Sequence, residues 1–394
     1  MRRQALIALA AALTVTIGAA TGAVDRGRAS RHQAAAAREP VTLKDALAVS
    51  SRLGRVAAGR PIHLVLGLRS RRQQELDRLF RSGGSGSGGF AARYGPNPRL
   101  VDPALAAARR AGFRTSWSRG ETIASLDAPA RVVERYFRVG LFAYVTPGGR
   151  RFYAADRAAW LPSSLRAVAA GLGGLDDYAR ANVAAIRPGG VSPDDVSSFY
   201  NIKPLRDLGL DGSGETVVFP ELNSPDDESQ LRQDLAAFAA KKGLPPFDLT
   251  VRSDPSWQPL SASDSFEQGA MVEAALDLEI VHAIAPGAKL IVFEMSRDLS
   301  VGTKAELAMV TEQPTAIISD STGFCESIIP NTQKLHLLEK PWQQQAVQNM
   351  THYVASGDAG AYDCGEEHPA AVDFGAALPV NTAVGGTSVE RHSV

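Results

Sequence analysis

The sequence predicts an α/β protein in two parts, in which a small α+β unit precedes a doubly wound parallel sheet. Beyond residue 191, short apolar runs of strand type alternate with helical runs, as in parallel sheets covered by helices on both faces. Before residue 161 the runs are shorter, and strands, helices and a Pro-Gly-Gly turn follow one another in mixed order. The distribution of charge gives a third reason to divide the chain.

Charge separates the two halves of the chain, although its net charge is zero. The 394 residues include 42 Lys and Arg and 42 Asp and Glu; residues 1–190 hold 30 basic and 12 acidic ones, and residues 191–394 hold 12 and 30. The arginines of the first half are scattered among apolar residues, without the compact basic tract typical of nucleic-acid binding. We therefore expect no nucleic-acid partner. Instead, the basic half should dock on the acidic half at neutral pH and separate in acid.

The N-terminus has the pattern of a secretory signal peptide. Arg2 and Arg3 precede an uncharged apolar run from Ala5 to Ala20, and small residues follow as far as Ala23. A membrane anchor is the alternative, but the run is short for a bilayer span. We expect residues 1–23 to be removed on export, residues 24–42 to be disordered, and the remaining protein to be secreted without a membrane segment.

The first unit is expected to be a ferredoxin-like α+β sandwich. Its predicted elements are a strand at 61–68, a helix at 72–80, a flexible Gly-Ser loop at 82–89, a helix at 102–111, a strand at 122–126, a helix at 130–137, and strands at 140–145 and 151–155. Residues 161–190 are punctuated by glycines and by Pro188-Gly189-Gly190, which favours a linker.

The second unit, residues 191–394, shows the regular alternation of a parallel sheet. Its predicted strands are 216–219, 289–295, 316–319 and 353–355, and its predicted helices are 228–241, 269–283, 304–311 and 334–349, the last bent at Pro341. Ligands of such sheets bind at the carboxyl ends of the strands, so polar residues there are the first candidates for a site.

Glu273 and Asp277 are the strongest candidates for acid-base chemistry. They are four residues apart on the predicted helix 269–283, so both carboxyl groups lie on one face, where they repel each other. A solvated surface helix would tolerate the pair at small cost. The surrounding apolar residues leave little of this helix for solvent, however, and a partly buried carboxyl pair can share protons and act as acid and base.

Two further candidates follow predicted strands. Ser356-Gly357-Asp358 comes directly after the strand 353–355, although the same residues would also make an ordinary turn. Residues 319–323, Ser-Asp-Ser-Thr-Gly, follow the strand 316–319 and could present an extended edge to a peptide.

Together these motifs resemble the sedolisin (S53) family of serine-carboxyl peptidases. Glu273-Ala-Ala-Leu-Asp277 is similar to its catalytic helix, Ser356-Gly357-Asp358 to its oxyanion segment, and residues 319–323 to its substrate strand. The resemblance implies a subtilisin-like parallel sheet, which is incomplete here. It also implies an activation pro-domain at 43–160 that inhibits the enzyme intramolecularly, and a peptidase domain of which 191–394 is the N-terminal part.

The resemblance also implies roles for single residues. Glu273 would be the general base toward a nucleophilic serine, Asp277 would orient it, and Asp358 would donate a hydrogen bond to the oxyanion. Ser319, Ser321 and Gly323 would bind a peptide or protein substrate, and Glu221 would support the base. A carboxylate base has an ordinary pKa of about 4.3, so such a site suits acid, where histidine would be protonated.

The nucleophile of the family is expected to be missing from this chain. The one Gly-Thr-Ser motif, ending at Ser388, lacks the following helix and proline and matches an earlier strand and turn of the family instead. We therefore expect an inactive chain without metal or cofactor; the resemblance places calcium ligands further along full-length members. The alternative function is a non-catalytic, secreted peptide-binding protein or truncated pseudo-enzyme.

The remaining observations concern cysteine, histidine and competing hydrolase classes. Cys325 and Cys364 are the two cysteines of an exported chain and favour one disulfide, although two free thiols remain possible. No histidine stands in the sequence context of a Ser-His-Asp enzyme, and no Gly-x-Ser-x-Gly elbow follows a strand. Both hydrolase classes are therefore disfavoured.

Overall fold

The computed structural model describes residues 40, 42–84, 86, 89–183, 192–222, 228–257, 265–329, 331–365 and 369–386. The predicted signal peptide, residues 1–23, lies outside this range, as do nearly all of residues 24–42 and Ser388. Within the described residues, no helix combines the length and apolar character that crossing a membrane requires.

The first unit, residues 42–183, contains two antiparallel sheets. Its helices are α1 (Leu43–Val49), α2 (Gln73–Arg81), α3 (Phe90–Arg93), α4 (Pro98–Arg110), α5 (Ala130–Phe137) and α6 (Ser163–Arg166). Its strands are β1 (Ser51–Arg55), β2 (Pro61–Leu68), β3 (Arg114–Ser116), β4 (Ile123–Pro129), β5 (Leu141–Val145), β6 (Arg151–Ala155), β7 (Ala169–Gly173) and β8 (Asn182–Val183).

The larger sheet of this unit has the order β3-β4-β2-β7, and a smaller sheet has the order β1-β5-β6. All of these pairs are antiparallel. Along the chain, the strands of the larger sheet and the helices between them follow in the order strand, helices, strand, strand, helix, strand. Its central strand β2 buries six of its eight residues, because β2 has helices on one face and the second unit on the other.

The second unit, residues 192–386, is built on one parallel sheet. Its helices are α7 (Pro193–Phe199), α8 (Lys203–Asp207), α9 (Glu228–Lys242), α10 (Ser265–Ile284), α11 (Leu299–Glu312) and α12 (Thr332–Gln348). Its strands are β9 (Thr216–Glu221), β10 (Asp248–Arg252), β11 (Lys289–Glu294), β12 (Ile317–Asp320), β13 (Thr322–Gly323), β14 (Thr351–Ala355) and β15 (Thr382–Val384).

The parallel sheet confirms the predicted α/β class and fixes where a site can form. Its strand order is β10-β11-β9-β12-β14-β15, with every pair parallel. The chain leaves β9 toward β10 and β11 and later returns to the other side with β12. The loops after β9 and β12 therefore diverge, and this switch point opens the crevice where parallel sheets bind ligands.

The predicted linker at 161–190 is wrong for its first half. Residues 169–173 form β7, an edge strand paired with β2, so this segment is part of the first unit's sheet. The run Ala-Ala-Gly-Leu-Gly has few strand-forming side chains, and its glycines were interpreted as turn residues. Their function is packing instead: a Cβ on Gly173 would lie 2.5 Å from the Ser300 Cβ and 2.7 Å from Leu337 Cδ2.

Contacts between the two units are largely apolar. Helices α11 and α12 lie against β2 and β7, and Val65, Phe80 and Ile123 of the first unit join the same buried cluster as Leu337 and Trp342 of the second. Lys334 of the second unit pairs with Asp176 of the first at 3.5 Å. In this pair the acidic second unit supplies the lysine and the basic first unit supplies the aspartate. The overall charge difference between the two halves therefore does not account for this contact.

Candidate functional site

Helix α10 presents Glu273 and Asp277 toward the switch point of the parallel sheet. Alanine and other apolar residues dominate the helix, and Ala274 and Leu278 pack into the core beneath the sheet. This packing takes the adjacent carboxyl groups out of solvent, so that Glu273 is 1% and Asp277 8% exposed. The predicted pair is therefore buried, and the surface-helix alternative is wrong.

Glu221, the last residue of β9, adds a third carboxyl group to this site. Its side chain is 1% exposed, and Asp277 hydrogen-bonds both to it and to Ser321. Two carboxyl groups can hydrogen-bond only if one of them is protonated. No hydroxyl or N–H donor among the described residues reaches either oxygen of Glu221, and burial favours its protonated form.

Burial is the main cause of the pKa shifts at this site. It raises the pKa of Glu273 to about 9, helped by the charges of Asp277 and Asp358. It also raises the pKa of Asp277 to about 7, with the Ser321 hydrogen bond acting in the opposite direction, and it raises the pKa of Glu221 well above its ordinary value. Carboxyl groups that share protons in this way can accept and return a proton during a reaction.

Glu273 has one oxygen that lacks a hydrogen bond. Its Oε2 is buried and no donor from the described residues reaches it. An unsatisfied buried acceptor is costly, and a hydroxyl donating to it would both satisfy the oxygen and lower the pKa of the carboxyl. This oxygen is therefore open to a hydrogen bond from a donor outside the described residues.

The segment Ser319 to Gly323 forms one wall of the crevice, with its residues in different roles. Ser319 is buried within β12, and the Ser321 hydroxyl bonds to Asp277, so neither serine side chain is free to meet a substrate. Thr322 and Gly323, which make up β13, offer their backbone edge. That edge is paired, antiparallel, with Val183 and Asn182 of β8.

Asp358 lies on the exposed loop after β14, close enough to Glu273 for its charge to act on that carboxyl. Gly357 before it has φ +100°, a backbone conformation that favours glycine. The loop that carries Asp358 therefore lies on the same side of the sheet as the carboxyl pair, and the role of Asp358 stays a prediction.

Cys325 and Cys364 are joined by a disulfide, with their Cα atoms 5.3 Å apart. The bridge ties the chain just after β13 to the loop that carries Asp358. It closes a loop of 39 residues, which in the chain-entropy view contributes about 4 kcal/mol to stability.

We expect the Cys325→Ser, Cys364→Ser double variant to unfold at a temperature roughly 5–10 °C lower than the parent chain. Thiol labelling of the denatured, unreduced parent should find no free cysteine. Two labelled cysteines in freshly secreted protein would contradict the bridge, and reduction of the parent should reproduce the variant's lower melting temperature.

Sequence reasoning did not single out Asp320, His352, Asp363 or Asp373. Asp320 accepts hydrogen bonds from the Thr322 backbone N–H at 2.9 Å and hydroxyl at 2.7 Å, and its other oxygen lies 3.3 Å from His352 Nε2. The turn Asp-Ser-Thr is the local signal that could have identified Asp320. No comparable signal exists for Asp363 and Asp373, which come together only through the folded loop.

Among the residues that the structure describes, no three His, Cys, Asp or Glu side chains are arranged to hold a metal ion. Calcium thus remains an expectation drawn from the resemblance.

Known proteins similar to this chain include kumamolisin, sedolisin and xanthomonalisin. Kumamolisin of Bacillus sp. (strain MN-32) is 28% identical over 301 residues, 69% of this chain and 51% of that protein. Sedolisin of Pseudomonas sp. (strain 101) is 24% identical over 373 residues, 86% of this chain and 62% of that protein. Xanthomonalisin of Xanthomonas sp. (strain T-22) is 23% identical over 346 residues, 77% and 40% respectively. The chain thus spans about half the length of the curated relatives it matches.

Comparison with solved structures gives weaker likenesses. A Pseudomonas sedolisin, described as a serine-carboxyl proteinase complexed with pseudo-iodotyrostatin, aligns with a TM-score of 0.40 and 24% identity, covering 48% of this chain and 52% of that one. The epidermin leader peptide processing serine protease of Staphylococcus aureus aligns with a TM-score of 0.36 and 8% identity, covering 82% and 69%. No family model matches the sequence.

Proposed function

This chain is sedolisin-like, and from that premise we propose that it is part of the precursor of a secreted, acid-acting serine-type endopeptidase. The observation that carries the proposal is the buried carboxyl pair Glu273 and Asp277, with an unsatisfied oxygen of Glu273 at the switch point of a parallel sheet. That oxygen would accept the hydrogen bond of a nucleophilic serine.

In this proposal the serine hydroxyl donates a hydrogen bond to Glu273 and lowers the raised pKa of that carboxyl. The ionised Glu273 then removes the serine proton as the serine attacks a peptide carbonyl. Asp277, held by Ser321 and by protonated Glu221, fixes the helix face and stabilises the proton on Glu273 after transfer. Asp358 donates a hydrogen bond to the oxyanion through its carboxyl O–H.

The nucleophile is proposed not to be among the serines that the structure describes. None of the serines in the described ranges donates to Oε2 of Glu273, and the only Gly-Thr-Ser sequence lacks the expected helix and proline. The chain would supply the base, the orienting acid and the oxyanion donor, but would not cleave peptides alone.

The first unit is proposed to act as the inhibitory pro-domain. Its larger sheet, with the order β3-β4-β2-β7 and two helical crossovers, supports a ferredoxin-like architecture. Its last strand, β8, pairs with the Thr322 and Gly323 edge, where an extended peptide substrate would add as a strand. The chain's own segment thus occupies the proposed peptide position.

Activity measurement tests this proposal. The 394-residue chain should not cleave denatured protein at any pH from 3 to 8. A version extended by a downstream segment carrying Gly-Thr-Ser-x-x-x-Pro should gain acid-dependent activity, and Glu273→Gln should lower its kcat/KM by about 10³-fold or more because the base is lost.

Glu228→Gln, on the exposed side of α9, is the matched control and should leave activity unchanged. Cleavage by the 394-residue chain that Ser388→Ala abolishes would overturn the assignment of the nucleophile. An extended, folded protein without activity, but with affinity for peptides, would favour the non-catalytic peptide-binding alternative.

A further inference from the structure

Asp373 lies where three features meet: the β13 edge of Thr322 and Gly323, the disulfide, and the loop that carries Asp358. Its side chain is buried, its backbone N–H donates to the Ser356 carbonyl at 3.2 Å, and it forms a β-bridge with Cys325. Its carboxyl group lies directly on Gly323, where an added Cβ would be 2.1 Å from Asp373 Oδ2. Asp373 therefore contacts both walls of the crevice.

Asp363 occupies the other side of the same loop. A Cβ added to Gly357 would lie 2.4 Å from Asp363 Oδ1, so this carboxyl group packs against the residue before Asp358. Asp363 accepts a hydrogen bond from the Asp358 backbone and hydrogen-bonds to Asp373. Since two carboxyl groups cannot hydrogen-bond when both are ionised, one of them carries a proton.

We propose that Asp363 and Asp373 share one proton and thereby act as positioning residues that hold Asp358 beside Glu273. The chain of contacts runs from the Asp373 hydroxyl to the Asp363 carboxylate and from there to the Asp358 N–H. This role rests on the proposed function of Asp358 at the oxyanion, which it extends by a pH-dependent control of the same site.

Most of the titratable groups that face Asp373 are carboxyl groups. Asp320 faces it from the end of β12, and Asp358 and Asp363 face it from the loop after β14. Glu326 lies close by, near the backbone N–H of Val372, while the nearby His352 is hydrogen-bonded to Asp320. Burial and these carboxylates raise the pKa of Asp373 to about 8, and burial also raises the pKa of Asp363.

The sign of the pH dependence follows from the raised pKa. In an open loop Asp373 would titrate near its ordinary value, about 3.9, so the closed loop holds a proton that the open loop loses. The closed position is therefore fully favoured below that value, and the preference falls as the pH rises toward about 8. Above that pH the hydrogen bond is gone and two adjacent carboxylates repel.

Hydrogen exchange on the chain itself tests this inference without requiring catalysis. The amides of Asp358 and Asp373 should lose protection by about tenfold or more between pH 5 and pH 8, after correction for the intrinsic pH dependence of exchange. In Asp373→Asn the amide still donates to Asp363 but cannot ionise, so protection should stay constant over this range. Asp207→Asn, an exposed change on α8, should behave as the parent chain.

The proposal is overturned if the parent chain shows no loss of protection, or if Asp373→Asn shows the same loss as the parent. If Asp373→Asn fails to fold, Asp363→Asn provides the second measurement. It removes the other carboxyl group of the proton-sharing pair and should abolish the same pH dependence of protection. In an active extended protein, Asp373→Asn should move the upper limb of the pH profile of kcat to higher pH. If the proposed peptidase function is wrong, the expected exchange result does not change. Failure of that proposal can therefore be distinguished from failure of this one.

Discussion

At pH 9 the folded chain should be less stable than at pH 5 by roughly 3 kcal/mol or more. Glu221, Glu273 and Asp277 all have raised pKa values because they are buried together. The folded state holds protons that the unfolded chain gives up above about pH 4. Stability is therefore fully present below that pH and is lost progressively as the pH rises toward about 9, the pKa of Glu273.

Replacement of Glu273 by Gln should reverse much of this loss. Gln is close to the protonated carboxyl in shape and cannot ionise, so Glu273→Gln should stabilise the chain at pH 8 by roughly 1–3 kcal/mol and change it little at pH 5. Urea unfolding at several pH values measures this directly. Glu228→Gln, at an exposed ion pair, is the control and should shift stability by less than about 0.5 kcal/mol. Stability that stays level or rises from pH 5 to pH 9 would contradict a buried, proton-sharing cluster.

The parallel sheet was predictable because its elements carry strong local patterns. The helix predicted at 269–283 is α10, Ser265–Ile284, and the strand predicted at 289–295 is β11, Lys289–Glu294. Apolar residues dominate both, so burial on either face leaves a clear signal. The edge strand β10, Asp248–Arg252, was not predicted, because its short sequence Asp-Leu-Thr-Val-Arg is half polar and half exposed.

The site was predictable only where its residues stand close together along the chain. Glu273 and Asp277 form a recognisable pattern, because four residues make one helical turn. The interaction of Glu273 with Asp358 depends on the fold, and in the sequence pattern only the position of Asp358 after a strand suggested it. Asp363 and Asp373 were missed because nothing in a loop sequence shows which of its carboxyl groups will be buried together.

The first unit should remain docked on the second in acid, contrary to the separation in acid that the charge counts predict. The contact combines an apolar cluster with partly buried hydrogen bonds from Lys340 to Gln73 and from Gln343 to Asp77. Its ion pair, Lys334 with Asp176, opposes the bulk asymmetry. Asp298, whose backbone forms a β-bridge with Arg180 of the first unit, has a pKa raised to about 6 by burial. Its contribution to docking is therefore fully present in acid and lost as the pH rises through about 6.

Cleavage of the connection between the units tests this expectation in the folded chain. With a protease site placed between residues 184 and 191, the cut halves should elute together from a size-exclusion column at pH 4, at pH 7 and in 1 M salt, as apolar contacts are insensitive to screening. Separation at pH 4 or in high salt would restore the electrostatic explanation.

We expect the absence of a side chain at Gly173 to be necessary for the two cut halves to stay associated. Gly173 of β7 faces Ser300 and Leu337, and its missing side chain leaves the room into which α12 packs. Gly173→Val would place atoms where both already lie, an overpacking that costs about 1–3 kcal/mol or more, so the cut halves should separate at neutral pH. Gly59→Ala, where an added Cβ meets nothing within 4 Å, is the matched control and should stay docked. If Gly173→Val also remains docked while each half keeps its circular dichroism, the fit of β7 against α12 does not hold the two units together.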